Sequence, residues 1–289
     1  MLAYLNGHFV HDTEVRLCLH DAGFVFGATV TDLCRTFRHR LFRLPDHVAR
    51  FRQSCELARI AKPMSEQELI RLAEELVSKN VALVGAEEDL SLVMFATPGV
   101  MGDQGPPTLG MYTFDVPLKR YVPLFREGAH LVTPTTRQVS SIDPRIKHRS
   151  RLHWWIAGQE AQQMEKGAWA LLLDGNGYVT ETAAANFLIV KDGTVYTPPR
   201  ATILGGISLQ TVEEICRELG IPFQERPITL EDCLKADEAL LTGTAFCVAG
   251  VSQINGVSIL WPGKVFEKLL EVWTQRVGLD IRAQILSSG

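Results

Sequence analysis

Long apolar runs are missing from this sequence. None reaches the roughly 18–20 residues a membrane helix needs, and no basic segment followed by a long apolar one opens the chain. Neither a membrane span nor export is expected. Charge of one sign is also scarce: the formal net charge is −4, with short basic stretches only, which leaves no footprint for nucleic acid. The longest such stretch, Arg35 to Arg43, alternates with Phe37, Leu41 and Phe42 and reads as a solvated strand or hairpin. The six cysteines (Cys18, Cys34, Cys55, Cys216, Cys233 and Cys247) form no CxxC pair, so they read as free thiols of a reducing, cytoplasmic compartment. The eight histidines show no HxxxH or HxH spacing, and no metal site is expected.

What is present is ordinary for a globular protein. Apolar residues make up 46% and charged residues 21%, and 289 residues suit two domains better than one core. Asn6-Gly7 between apolar residues signals an opening hairpin. Apolar stretches at 25–30 and 33–42 read as strands, and Pro45 opens a helical pattern through Val48, Phe51, Cys55 and Ile60. Ser65 and Glu68 have capping-box spacing ahead of Leu69, Leu72, Ala73, Leu76 and Val77. A strand at 90–96 and a glycine-rich loop at 98–107 follow. Two prolines and Lys119-Arg120 interrupt the pattern between 116 and 126, so the expected boundary lies near 120: a small domain 1–120 and a larger one 121–289. The second half has a strand at 129–133, a helix at about 150–166, and strands at 169–173, 178–180, 187–190 and 194–197 joined by Asp-Gly and Asn-Gly turns. A helix after Gly205-Gly206 ends at Gly220, a strand-like run spans 239–251, and one amphipathic helix spans 265–286.

Four features stand out from this scaffold. Gly205-Gly206-Ile207-Ser208 opens a helix, where free N–H groups and the helix dipole suit a phosphate, although Ser208 as a plain N-cap explains it too. Thr242-Gly243-Thr244 ends an apolar run and offers a hydroxyl, or a plain turn. Glu181 precedes alanines that would let something flat approach, or is a solvated strand-end carboxylate. Lys147 sits among Arg145, His148, Arg149 and Arg151, where like charge favours a neutral nucleophilic amine if the residue is buried; as a surface basic cluster it needs no such role.

The order of these pieces resembles the fold-type IV pyridoxal-phosphate enzymes, the group of branched-chain aminotransferases, D-amino acid aminotransferases and 4-amino-4-deoxychorismate lyases. The likeness covers nearly the whole chain. It runs through Asn6-Gly7, the segment Asp21 to Gly27, Phe42-Arg43-Leu44 with His47 and Arg50, Ile146-Lys147, Thr180-Glu181 with Asn186-Phe187, Thr197-Pro198-Pro199, Ile203 to Ser208, and Ala236-Asp237-Glu238 leading to Thr242-Gly243-Thr244. The resemblance implies an α+β, two-domain fold, a small N-terminal α/β domain and a larger β-rich C-terminal α/β domain, and pyridoxal 5′-phosphate as cofactor. It implies that Lys147 forms the Schiff base and shuttles the proton, and that Glu181 pairs with the pyridine nitrogen. Arg50 takes the phosphate, in a cup completed by Gly206, Ile207, Ser208, Gly243 and Thr244. A homodimer acting on an amino acid and a 2-oxo acid follows from the same likeness.

The departures fall on the substrate side. Many members place an aromatic residue before a Glu where this chain has Thr31-Asp32, and 93–97 lacks the arginine some D-amino acid enzymes use for the substrate carboxylate. A D-amino acid preference is therefore not expected. The segment Lys147-His148-Arg149-Ser150-Arg151-Leu152 and the run Ala184-Ala185-Asn186 lean toward the lyase branch. Thr31, His148, Arg151 and Ala245 are the candidate substrate contacts, and His148 and Arg151 suit cofactor contacts or structural salt bridges equally. Aminotransfer is the leading reading. Elimination of pyruvate by a lyase is the alternative, and a non-catalytic binding module on the same fold is the reading from another class.

Overall fold

The computed structural model describes residues 1–102 and 105–289, so two positions of the loop expected at 98–107 lie outside the described residues. The chain is an α+β protein made of two compact units: Met1–Val116 with Ile146–Ser150, and Pro117–Arg145 with Arg151–Gly289. The first unit is thus not one stretch of chain, because a five-residue segment bearing Lys147 returns to it. No helix among the described residues is long and apolar enough to cross a membrane.

In the first unit, strands β1 (Leu2–Leu5), β2 (His8–His11), β3 (Val30–Phe37), β4 (Arg40–Leu41), β5 (Leu90–Thr97) and β6 (Thr108–Asp115) form an antiparallel sheet in the order β2-β1-β6-β5-β3-β4. Asn6 and Gly7 at φ +47° and +99° make the expected hairpin turn. Helix α1 (Ala22–Val25) is short; α2 (Leu44–Leu57) has Pro45 in its first turn, and α3 (Glu66–Val81) carries the full Ser65–Glu68 capping box. Val48 and Phe51 of α2 and Leu69, Ala73 and Leu76 of α3 join Leu92, Met94 and Met111 of the sheet in one buried cluster. Each large side chain buried there contributes about 1.5–3 kcal/mol.

Two expectations fail in this unit. The apolar run at 25–30 is not a strand before Val30: Asp21 caps α1 through the Gly23 N–H (2.7 Å), and Gly27 at φ +64° turns the chain. Phe24 and Phe26 are left 72% and 71% exposed. Arg35, read as part of a solvated stretch, is buried; its guanidinium meets Asp89 (3.4 Å) and lies over the Phe37 ring (4.0 Å). The partner is 54 positions away, out of reach of a local pattern.

The second unit holds β7 (Ala129–Val132), β8 (Trp169–Leu173), β9 (Val179–Thr182), β10 (Asn186–Lys191), β11 (Thr194–Thr197), β12 (Phe223–Glu225), β13 (Glu238–Gly243), β14 (Cys247–Ile254) and β15 (Val257–Ser258). The path β10-β13-β14-β7-β8-β9 closes on itself through the β9–β10 pairing, so these strands form a ring with β11 and β12 beyond β10. Among the described residues a single pair, Glu181 with Asn186, makes that closure. The helices are α4 (Val122–Arg126), α5 (Leu152–Met164), α6 (Ile207–Glu218), α7 (Leu230–Leu234), α8 (Lys264–Val277) and α9 (Ile281–Leu286). The run 239–251 is two strands, turned at 244–246 with Cys247 at φ +67°, and the terminal helix is two, broken at Gly278 (φ +64°) and restarted by Asp280 as N-cap.

Candidate active site

The first unit fixes the backbone of Lys147 from both sides. Its N–H donates to Ser54 Oγ (3.1 Å), on a fully buried residue of α2, and its carbonyl accepts from Thr31 N–H (2.8 Å). With Arg149 N–H donating to Thr29 O (2.8 Å) and the bridge between Val30 and His148, the segment adds a short antiparallel rung beside the start of β3. Lys147 therefore stands on an ordered ladder rather than on a loose loop. Ile146 packs against the helix-side core next to it.

On α2, His47 and Arg50 are three residues apart and share a face. They meet Asp32, which β3 turns toward that helix while Thr31 points the other way. The Arg50 guanidinium donates from Nε to Asp32 Oδ2 and from Nη2 to Oδ1, both at 2.8 Å; His47 Nδ1 lies 2.7 Å from Oδ1. An ionised carboxylate only accepts, so His47 Nδ1 is the donor. Burial alone would raise the Asp32 carboxyl, but the Arg50 charge and the His47 bond outweigh it and hold it well below the carboxylate range. His47 is pushed down, first by burial, with Arg50 and Lys147 acting in the same direction against the pull of Asp32.

The second unit builds a different cradle. Glu181 and Asn186 face each other across the ring closure, and Asn186 Nδ2 donates to Glu181 Oε2 (2.9 Å) and to Leu204 O (2.9 Å). Leu204 N–H donates back to Glu181 Oε2 (3.3 Å). Glu181 is buried yet 8% exposed, so it is not the solvated strand-end carboxylate. Asn186 also explains Gly206, where a Cβ would lie 2.0 Å from Asn186 Oδ1, whereas a Cβ on Gly205 would meet open space. Helix α6 begins here. Its N-cap is Gly206, no side chain caps it, and buried Ser208 lies in the first turn rather than at the cap. The plain N-cap explanation of Ser208 is thereby removed, and an uncapped end of a 12-residue helix remains beside open space.

Thr244 and Ala245 occupy the half-buried β13–β14 turn, and Gly243 is required there because a Cβ would come within 2.7 Å of the Phe246 ring and 3.1 Å of Ala184 O. Thr242 pairs with Asn186 in the β10–β13 ladder. A cavity of about 250 Å³ lies beside the turn after Glu181, lined by Arg120, Gln162, Trp169, Thr182, Ala183 and Ala184. Arg151 donates to Ala183 O and sits over Trp154, 5.8 Å from its centroid.

Glu181, Gly206, Ile207, Ser208, Gly243, Thr244 and Ala245 thus belong to the second unit, where Asn186 and Ala184 link them, as does Arg151. Lys147, Arg50, Thr31 and His148 belong to the first. Thr31 is buried on the opposite face of β3 from the Asp32–Arg50 pair, its hydroxyl spent on Met94 O (3.0 Å). Sequence reading missed Asp32, His47 and Ser54 as supports and gave Asn186 no role. The spacing His47-x-x-Arg50 and the strand alternation at Asp32 carried part of that signal.

Comparison with known proteins gives the family. The amino-transferase class IV family profile matches residues 29–254. A Methanocaldococcus jannaschii protein provisionally named as a branched-chain-amino-acid aminotransferase is 31% identical over 279 residues, covering 94% of both chains. The D-alanine aminotransferase of Bacillus licheniformis is 30% identical over 266 residues, covering 90% of each. Among solved structures, the T.th. branched-chain amino acid aminotransferase complexed with N-(5′-phosphopyridoxyl)-L-glutamate superposes with a TM-score of 0.85 at 26% identity, over 96% of this chain and 93% of that one. The branched-chain aminotransferase of Thermoproteus uzoniensis with norvaline gives 0.85 at 27% identity, over 96% and 94%. The chain belongs to the class IV aminotransferase family.

Proposed function

We propose that this protein is a pyridoxal 5′-phosphate-dependent aminotransferase that moves an amino group between an amino acid and a 2-oxo acid. The observation that carries the reading is the second-unit cradle: a carboxylate locked by two amide donors, Glu181, adjoining an uncapped helix start with open space at Gly205. That donor and acceptor set fits a flat heterocycle with a protonatable ring nitrogen and a phosphate.

Glu181 would keep the ring nitrogen protonated, because an oriented carboxylate accepts its N–H. The N–H groups of Ile207 and Ser208, the Ser208 and Thr244 hydroxyls and the Arg50 guanidinium would hold the phosphate, with Gly206 and Gly243 letting the backbone come close. Lys147 would hold the cofactor covalently and then, as a free amine, take the proton from the substrate α-carbon at Nζ and deliver it two atoms along, to the carbon on the far side of the amino nitrogen. The cofactor supplies an electron sink for that proton loss. Ser54 and Thr31 keep the lysine's backbone in place while its side chain swings. His148, Arg151 and Ala245 remain proposed contacts of cofactor or substrate. The same reading takes the protein as a cytoplasmic homodimer, and the exposed Leu19, Phe24 and Phe26 supply apolar surface for a partner.

The test is a single-turnover reaction of the holoenzyme with an amino acid alone. Aminotransfer predicts stoichiometric oxo acid and a cofactor left in its amine form; pyruvate from aminodeoxychorismate with no such conversion would move the protein to the lyase branch. Lys147→Ala should convert nothing. A protein that binds no cofactor at all would leave only the binding-module reading.

A further inference from the structure

The run from Arg145 to Arg151 places three arginines, a lysine and a histidine within seven residues, and the structure accounts for the arginines unequally. Arg145 is paired with Asp143 through Nε and Nη2, at 2.6 Å for the closest contact. Arg151 is used by Ala183 O and the Trp154 ring. Lys147 is the proposed nucleophile. Arg149 is exposed and makes no ion pair among the described residues: its guanidinium touches the Thr31 hydroxyl at 3.4 Å, a long contact to a neutral group already bonded to Met94 O.

The position of that contact matters. Thr31 lies directly across the antiparallel rung from Lys147, since its N–H takes the Lys147 carbonyl. Cross-strand neighbours have Cβ atoms about 4.5–5.5 Å apart. Arg149 therefore lays a solvent-accessible guanidinium against the residue facing the nucleophilic lysine. Close to Thr31 the sheet offers no equivalent: β5 (Leu90–Thr97) contains no cation, Arg35 of β3 is buried against Asp89, and Arg40 of β4 pairs with Phe37 at the far end of β3. Both substrates of an aminotransferase are carboxylates, and a planar fork of N–H donors is the side chain that grips a carboxylate with two parallel bonds.

We propose that Arg149 is the anchor for a substrate carboxylate beside Lys147. The inference rests on the aminotransferase reading and adds which residue recognises the acid group. Either the α-carboxylate or a second, side-chain carboxylate presents the same planar monoanion, and the experiment separates the two.

The holoenzyme and its Arg149→Met and Arg149→Lys variants are compared in the half-reaction with a monocarboxylic amino acid, a dicarboxylic amino acid and an alkylamine of matched size without a carboxylate. Loss of a charge-assisted bond predicts that Arg149→Met lowers the amino acid to alkylamine ratio of kcat/KM by about 10- to 100-fold, with the change in KM. Arg149→Lys should recover part of it. A fall for both amino acids assigns the α-carboxylate, and one confined to the dicarboxylic donor assigns the distal group. If the alkylamine does not react, the ratio of inhibition constants for an aliphatic acid and its primary amide replaces it, with the same expected shift. A ratio unchanged for both amino acids, or an equal fall for donors with and without the carboxylate, overturns the proposal. Failure of the parent reading looks different: no half-reaction with any donor and no cofactor on Lys147 in the unaltered protein.

Discussion

The two units hold their key carboxylates by opposite means. In the first, Asp32 has no exposed surface and is clamped by a bidentate arginine and a histidine, a charge matched by charge. In the second, Glu181 is oriented by an asparagine amide and a backbone N–H at the seam of a strand ring. Buried ion pairs are costly to break because the remaining charge is stranded, whereas amide donors orient a carboxylate without cancelling its charge. The first arrangement braces a scaffold for Arg50; the second orients Glu181.

That contrast orders the expected effects on folding stability. Asp32→Asn strands the Arg50 guanidinium and should cost about 3–5 kcal/mol in urea unfolding, with Asp32→Glu retaining most of it. Asn186→Leu removes the donor to Glu181 and Leu204 and should cost about 1–3 kcal/mol, with cofactor retention weakened as well. If Asn186→Leu proves the more destabilising of the two, the contrast between the units fails.

Acid should weaken the first unit in two steps. The depressed His47 contributes stability that is complete above its unfolded value near 6.5 and is lost as pH falls below it, at up to about 1.4 kcal/mol per pH unit. The depressed Asp32 adds a second loss as pH falls below about 3.9. Urea midpoints measured from pH 7.5 to 5 should fall, and His47→Gln should flatten that limb; a midpoint that rises on acidification would contradict the assignment. Ser208→Ala should be the mildest change, within about 0.5 kcal/mol for the protein without cofactor, because the hydroxyl caps nothing. Its effect should appear in cofactor dissociation.

What could be read from the sequence was whatever a few consecutive residues decide. Asn6-Gly7, the Ser65–Glu68 box and Gly205-Gly206 each set a local backbone, and each forms the expected element. The run 25–30 misled because its apolar residues suit a strand, whereas Asp21 caps a short helix and Gly27 turns the chain, which leaves Phe26 and its neighbour-but-one Phe24 exposed. Arg35 with Asp89, and Asp32 with Arg50, depend on pairings 54 and 18 positions apart that only the folded sheet and helix create. Lys147 and Glu181 were recognisable by their family context, but their supports Ser54 and Asn186 had no separate signal, since a buried serine and a strand-end asparagine look ordinary in sequence.

The proposed chemistry depends on one amine. Reduction of the holoenzyme with borohydride, followed by proteolysis and mass mapping, should place a phosphopyridoxyl group on Lys147 and leave the Lys147→Ala variant unlabelled. Label on a different lysine, or none on a protein that retains its cofactor, would contradict it.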